Sequence, residues 1–401
     1  MVQLIRATDK AEADGIPEGF RFLVTECMHL VEPANLYLYE TCVKSGRVES
    51  SDTQKTYAEG LYDWFQTCED MDWDWDDITD QEISMYRNRM LNNLSPHTGL
   101  PYKRTTINAR LGTICRFYQW ACSQNLLDEL PFSYAQVRVA RSHDSNAMAH
   151  AERNAGQATV NILKLKTQQT EAQAIALPNL RRILHKLGPA RMNDSSDPRP
   201  IRDRLFTETA VVTGLRRLEI AGLTVNQIPE TDAQEIRTEL LRKVRLTITK
   251  GSKPRTVILP QEMINRLNWY IRIERAKILY EAKKVAKRNG KTYREPSALF
   301  LNQDGSPISR SRITRIFKSA AEEAGVPNAN FHSLRHTFAI TMYKAIKRHD
   351  PEPWKALQIL LGHAHLSTTI NTYLNAVEVD EALVTDSVEA LYNEVLYGSA
   401  Q

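Results

Sequence analysis

Two histidines, an arginine and a tyrosine crowd one stretch of this 401-residue chain. His332 and Arg335 lie three residues apart in FHSLRHTFA, and Tyr373 follows His363 by ten residues in LGHAHLSTTINTYLN. Upstream, Arg216 stands in TGLRRLEIAGL and Lys250 in ITKGSKPRTVILP. A phenolic nucleophile, imidazoles that can move protons and guanidiniums that never lose theirs suit attack on a phosphodiester without a metal. The phenol is the difficult part. With a pKa near 10, only about one in a thousand is ionised at pH 7, a deficit of roughly 4 kcal/mol that cations or a proton acceptor must offset. The leaving alkoxide in turn needs a general acid. The residue types point to phosphoryl transfer on nucleic acid.

Those groups need elements to hold them. FHSLRHTFAITMYKAI has a helical pattern that sets His332 and Arg335 on one face. PWKALQILLG, TTINTYLN, RDRLFTETAVVTG, LRRLEIAGL and ISRSRITRIFKSAAEEAG are also helical, with glycines at the expected ends. LRKVRLTITK and RTVILP are β-rich runs around GSKP, a hairpin with Lys250 at its lip. Lys253 and Arg255 remain open as the working cation, and ALFLN offers a third strand. IALPNLRRILHKLG starts a helix with Pro178 in its first turn and Gly188 at its stop, so the second domain is placed at 175–401.

Residues 51–132 form a first, helical domain. Tyr57, Leu61, Trp64, Phe65 and Cys68 recur at the helical period and read as core, as do Ile107, Leu111, Ile114, Cys115 and Tyr118. Thr79 with Glu82 makes a capping box. The acidic run EDMDWDWDDITDQE lacks the glycine and terminal glutamate of a calcium loop. Residues 1–50 are an N-terminal extension without an assigned role, and 133–174 a linker. The expected fold is mainly α: a helical domain followed by a mostly helical domain with a small antiparallel β-sheet.

A chain of this length, 42% hydrophobic and 25% charged, has the make-up of an ordinary two-domain globular protein. Its net charge of +4 hides an asymmetry. Residues 1–92 carry 8 basic against 19 acidic groups, 93–174 carry 9 against 5, and 175–401 carry 35 against 24. The basic part suits a polyanionic partner, since cations that displace condensed counterions supply most non-specific DNA affinity. Five cysteines without CxxC spacing exclude a disulfide framework or a zinc ribbon and suit a reducing compartment. The start MVQLIRATDKAEADG has no apolar run of signal-peptide length, and no 18-residue apolar stretch occurs, so a cytoplasmic protein without a membrane partner is expected. A zinc site at His332, His336, His363 and His365 is disfavoured, because Ser333 stands where a metalloprotease helix needs glutamate and Arg335 would set a fixed charge beside the metal. No metal or cofactor is expected.

GLRRLE, a hairpin lysine, HSLRH, LGH and a late tyrosine, in that order, resemble the tyrosine recombinase (phage integrase) family. The specific motifs lie between residues 175 and 395; residues 50–132 are similar only in helix pattern and position. The resemblance implies that Tyr373 attacks the scissile phosphate to give a 3′-phosphotyrosyl link and a free 5′-hydroxyl, without ATP or metal. It casts Lys250 as general acid, Arg216 and Arg335 as the forks on the nonbridging oxygens, His332 as general base or proton shuttle, and His363 as a phosphate hydrogen-bonder. Glu219 reads as a buttress for Arg216. The first domain would be the core-binding domain, with Lys103, Arg104, Arg110 and Arg116 as candidate phosphate contacts. Partners implied are double-stranded DNA, a homo-tetramer on two DNA sites held by the C-terminal tail, and accessory DNA-bending proteins, as for a phage or other mobile element. Arg217, the long segment NQIPETDAQEIRTELLRKV and the long helix INRLNWYIRIERAKILYEAKKVAKRNG depart from the pattern. The alternatives are a type IB-like nicking and closing topoisomerase and a non-catalytic DNA-binding protein that keeps the fold.

Overall fold

The computed structural model of the chain describes residues 1–46, 51–96, 98–137, 158–161, 163–167, 173–192, 196–230, 241–247, 254–350, 352–363 and 365–379. The chain divides into two compact units, Met1–Gln169 and Thr170–Gln401. The fold is mainly α, and the described strands form three two-stranded antiparallel sheets.

In the first unit, β1 (Gln3–Arg6) and β2 (Arg21–Val24) pair antiparallel, with Leu4 opposite Leu23. Helices α1 (Glu32–Tyr39), α2 (Ser51–Met71), α3 (Asp80–Asn92) and α4 (Arg104–Ser123) follow. The period read in α2 and α4 is the buried face: Leu61, Trp64, Ile107, Ile114 and Tyr118 have no exposed surface. Trp64 meets Tyr86 and Tyr118 edge to face at 5.2 and 6.2 Å, so the aromatic stripe is core. Thr79 and Glu82 make the capping box at the start of α3. The extension is part of this body: Val2, Phe20, Leu23, Tyr37 and Leu38 join the same core. So does part of the expected linker. After β3 (Tyr134–Val137) and β4 (Ala158–Asn161), Leu163 is buried in that core, and the Asn108 amide exchanges two hydrogen bonds with the backbone of Leu165.

The second unit opens with α5 (Leu177–Leu187), with Pro178 in its first turn and Gly188 at its end. Then come α6 (Arg202–Thr213), α7 (Arg217–Ala221), the hairpin β5 (Leu241–Leu246) and β6 (Arg255–Pro260), α8 (Gln261–Tyr270) and α9 (Ala276–Arg288). A π-turn at Ile271–Arg275 joins α8 to α9 as one long rod. Helices α10 (Arg310–Glu323), α11 (Phe331–Lys347), α12 (Pro353–Leu361) and α13 (Leu366–Val379) complete the described chain. ALFLN is not a strand of the sheet. Ala298 and Leu301 form only isolated bridges, because the segment's backbone bonds go to Leu223, Val225 and Ile308 in loops.

Helix α6 is buried on all sides, from Arg202 to Thr213, and forms the centre of this unit. A smaller cluster, of Phe338, Ile340, Tyr343, Leu357, Leu361 and Tyr373, ties α11, α12 and α13 together. Residues 380–401, which contain most of the C-terminal tail, lie outside the described residues, as do Lys250 and Lys253 in the hairpin turn.

Candidate active site

Helix α6 stops at Gly214, which has φ of +64° and faces the Phe338 ring so closely that a Cβ there would lie 2.4 Å from it. Only glycine meets both demands, which accounts for the TGLR spelling. The stop frees the Gly214 carbonyl to accept from Arg335 Nη1 at 2.6 Å. Two residues on, Arg216 caps α7, and its backbone N–H donates to Glu219 Oε2 at 2.6 Å.

Glu219 has no exposed side-chain surface and acts as a buttress. It accepts from Arg216 Nη1 at 3.3 Å and, twice, from Arg255: Nε at 3.1 Å and Nη2 at 2.8 Å. Burial alone would raise this carboxyl, but Arg255 and Arg216 more than offset it and hold it below the usual range. Two guanidiniums are thereby fixed by one carboxylate.

Helix α11 begins with Asn330, whose side chain accepts from the N–H groups of His332 and Ser333. Arg335, one turn in, is 1% exposed. Its Nη2 donates to the Leu361 carbonyl at 2.6 Å, at the end of α12. The two carbonyls use two of five N–H donors, so three remain for other acceptors. Burial lowers the Arg335 guanidinium to about 10, with Arg216 adding to the effect and Tyr373 opposing it.

Gly362 ends α12 with φ of +64°, and the Arg255 side chain crosses it with Cδ 2.5 Å from where a Cβ would sit. His363 follows, its Nδ1 2.9 Å from Thr369 Oγ1. Burial first, then the charges of Arg335, Arg216 and Arg255, lower its imidazole to about 4. Tyr373, 1% exposed, lies with its ring parallel to that of His363, 6.4 Å away. Burial raises its phenol above the ordinary value, while the charges of Arg335 and then Arg216 pull it down.

Arg216, Arg335, His363 and Tyr373 therefore come together. His332 is exposed at the start of α11, and its ring lies 4.6 Å from that of His336. His336 is the imidazole that meets Tyr373 edge to face, at 5.5 Å. Burial and then His332 and Arg335 lower it to about 4, and its Nδ1 is buried without a hydrogen-bond partner among the described residues. Thr369 was missed altogether; its only sequence signal is a hydroxyl six residues after the LGH histidine. Among the described residues no group of three or more His, Cys, Asp or Glu is placed to hold a metal.

In the first unit Lys103 and Arg104 are exposed at the start of α4, with Arg104 Nη1 donating to the Lys166 carbonyl at 3.0 Å. Arg116 is exposed and lies over the Tyr57 ring at 4.8 Å. Arg110 differs from the expectation. It pairs with Asp63 at 2.6 Å and lies over Tyr102, so its charge is spent inside the unit. Helical spacing placed it off the core face but not who waited there.

Residues 179–378 match the model of the phage integrase family. The chain belongs to that family. Among relatives, tyrosine recombinase XerC of Haemophilus influenzae is 32% identical over 185 residues, 46% of this chain and 52% of that protein. XerC of Halalkalibacterium halodurans is 26% identical over 269 residues, 67% of this chain and 70% of the relative. The chain thus spans about half the length of the first relatives it matches. Its fold is similar to that of XerH site-specific recombinase bound to a palindromic difH substrate, with a TM-score of 0.51, 20% identity and coverage of 86% of this chain and 82% of the other. A lambda integrase dimer bound to a COC′ core site gives 0.52 at 15% identity, covering 89% of this chain and 98% of the other. The family match covers the whole constellation from Arg216 to Tyr373.

Proposed function

We propose that the chain is a site-specific DNA recombinase that cleaves and rejoins duplex DNA through Tyr373. The observation that carries this reading is the buried Tyr373 phenol, its ring parallel to that of His363 and its oxygen under the charges of Arg335 and Arg216. A phosphate entering here would meet two guanidiniums and an imidazole while a phenolic oxygen stands ready for it. Burial disfavours the free phenolate, so the nucleophile is held protonated until the phosphate arrives.

In the proposed step Tyr373 Oη forms a bond to phosphorus as the bond to the 5′ oxygen breaks. The phenolic proton passes to an imidazole, His332 in the role the family implies. Lys250 gives its proton to the 5′ oxygen. Arg216, Arg335 and His363 stabilise the charge on the nonbridging oxygens. The reverse reaction, with a new 5′-hydroxyl as nucleophile, rejoins the strand, so no energy source is required.

Lys103, Arg104 and Arg116 are proposed as phosphate contacts of the first unit, and a homo-tetramer on two duplex sites as the working assembly, with accessory DNA-bending proteins as further candidate partners. Unpaired cysteines and a DNA substrate favour the cytoplasm. No helix among the described residues is long and apolar enough to cross a membrane.

The test is covalent capture. Duplexes with a randomised segment are incubated with the chain, denatured in detergent, and the protein-linked DNA is amplified and sequenced. Recovery of one recurrent site, lost in Tyr373→Phe, is expected; no linked DNA would overturn the reading. A plasmid carrying two copies of that site then separates recombination, which changes product size, from the nicking and closing of a topoisomerase.

A further inference from the structure

We infer that Arg255, the first residue of β6, is a positioning residue that sets Arg216 and the His363 loop in register with each other. The inference rests on the phosphoryl-transfer reading above.

Each of its three nitrogens donates inside the protein, which uses three of the five N–H donors. Nε and Nη2 bind the Glu219 carboxylate, and Nη1 donates to the Leu360 carbonyl at 2.6 Å. The side chain is 10% exposed. A guanidinium held in this way is not a free cation waiting for phosphate, which sets Arg255 apart from the working cation that its place near the hairpin turn suggests.

Its contacts join three elements. Through Glu219 it bears on α7, because the same carboxylate receives both the backbone N–H and Nη1 of Arg216. Through Leu360 it holds the last turn of α12, whose next carbonyl, on Leu361, accepts from Arg335. Its methylenes pass over Gly362, directly before His363. The third element is β6, which carries it. One planar fork therefore fixes the spacing between the Arg216 side of the site and the His363 side. A lysine could place a charge here, but its single nitrogen cannot span a carboxylate and a carbonyl in fixed directions.

The experiment uses the full chain and four variants: Arg255→Ala, Arg255→Lys, Glu219→Gln and the pair Arg255→Ala with Glu219→Gln. The His363 imidazole is titrated by NMR without DNA, its signal assigned with His363→Gln. The rate of covalent adduct formation is measured at saturating protein on the duplex recovered by capture, beside the affinity for that duplex. Arg255→Ala and Arg255→Lys are both expected to slow adduct formation roughly 10- to 100-fold, the scale of losing a partner that orients a site's ligands, with affinity changed only a few-fold. The paired variant should be no slower than the slower single one, and the His363 midpoint should rise in Arg255→Ala. Restoration of both rate and midpoint by Arg255→Lys would mean that charge alone matters and would overturn positioning, as would a normal rate and midpoint in Arg255→Ala. Should Arg255→Ala fail to fold, Arg255→Lys and Glu219→Gln decide by rate. Should wild type form no adduct with any duplex, the recombinase reading fails by itself, and an unmoved His363 midpoint in Arg255→Ala separately rejects the positioning role.

Discussion

The rings of His363 and Tyr373 lie 6.4 Å apart and 7° from parallel. Helix α13 makes this possible by carrying both Tyr373 and Thr369, the residue that holds His363 Nδ1. The helix that delivers the nucleophile thus also fixes the imidazole beside it. Movement of α13 would take both away together.

Tyr373→Phe removes one oxygen and leaves the ring in the cluster with Phe338 and Leu361. Covalent adducts on denaturing gels should vanish, while DNA affinity from gel shifts stays within a few-fold of wild type. Adducts persisting in the variant would show that another residue attacks.

The two lowered imidazoles set a pH dependence of stability. His336 and His363 stay neutral in the folded chain to about pH 4, whereas in the unfolded chain each takes a proton near 6.5. Between these values the unfolded state binds more protons, so stability falls as pH drops from about 6.5 towards 4. Urea unfolding across that window should show the slope, and His336→Gln with His363→Gln should flatten it. An unchanged slope would assign the loss to carboxylates instead.

Much of this was legible in the sequence, for a physical reason. Core helices announce themselves by period, and the motif glycines Gly214 and Gly362 mark helix ends that a side chain would block. Partners across elements leave no such trace. The Arg110 ion pair with Asp63 spans α4 and α2, and Arg255 meets Glu219 and Leu360 from three separate segments. Periodicity gave each residue a face but not a neighbour. The N-terminal strands escaped because the apolar run FRFLVTECMHLV fits a strand or a buried helix equally well, until Asn35 is seen bonding the Leu23 backbone twice.

Lys103 and Arg110 should separate binding from stability. Lys103 is exposed at the start of α4, so Lys103→Ala should reduce the slope of log affinity against log salt by about 0.9, the value of one phosphate contact, without changing the melting temperature. Arg110→Ala should lower the melting temperature of the first unit, because it strands Asp63 beside the buried Tyr86 hydroxyl, 2.5 Å away. The opposite pattern would exchange their roles.

Gly362→Ala should cost more than Gly290→Ala, although the two glycines have φ of +64° and +66°. Both substitutions pay about 1–2 kcal/mol for a left-handed residue with a Cβ. Gly290 has nothing within 4 Å, whereas at Gly362 the new methyl would lie 2.5 Å from Arg255 Cδ. The excess in urea unfolding therefore reports the Arg255 contact. Equal costs would mean that the arginine moves aside freely.

The ion triad in the core of the second unit carries the largest stability prediction. Glu208, with no exposed surface, meets Arg204 Nε at 2.6 Å and Arg266 Nη1 at 2.6 Å. Burial pushes its carboxyl up, and the opposing pull of Arg266 and Arg204 does not cancel the shift. Arg266, 1% exposed, makes no well-directed side-chain hydrogen bond to the described residues, so it depends on the charge of Glu208 more than on geometry. Glu208→Ala would take away the carboxylate that lies 2.6 Å from the buried Arg266 guanidinium and should cost about 3–5 kcal/mol in urea unfolding. Replacing Arg204, Glu208 and Arg266 together by Met, Leu and Met removes the buried charge as well as its partner, and should cost less than Glu208→Ala alone. If the triple variant is the less stable of the two, attraction within the triad outweighs the desolvation it requires.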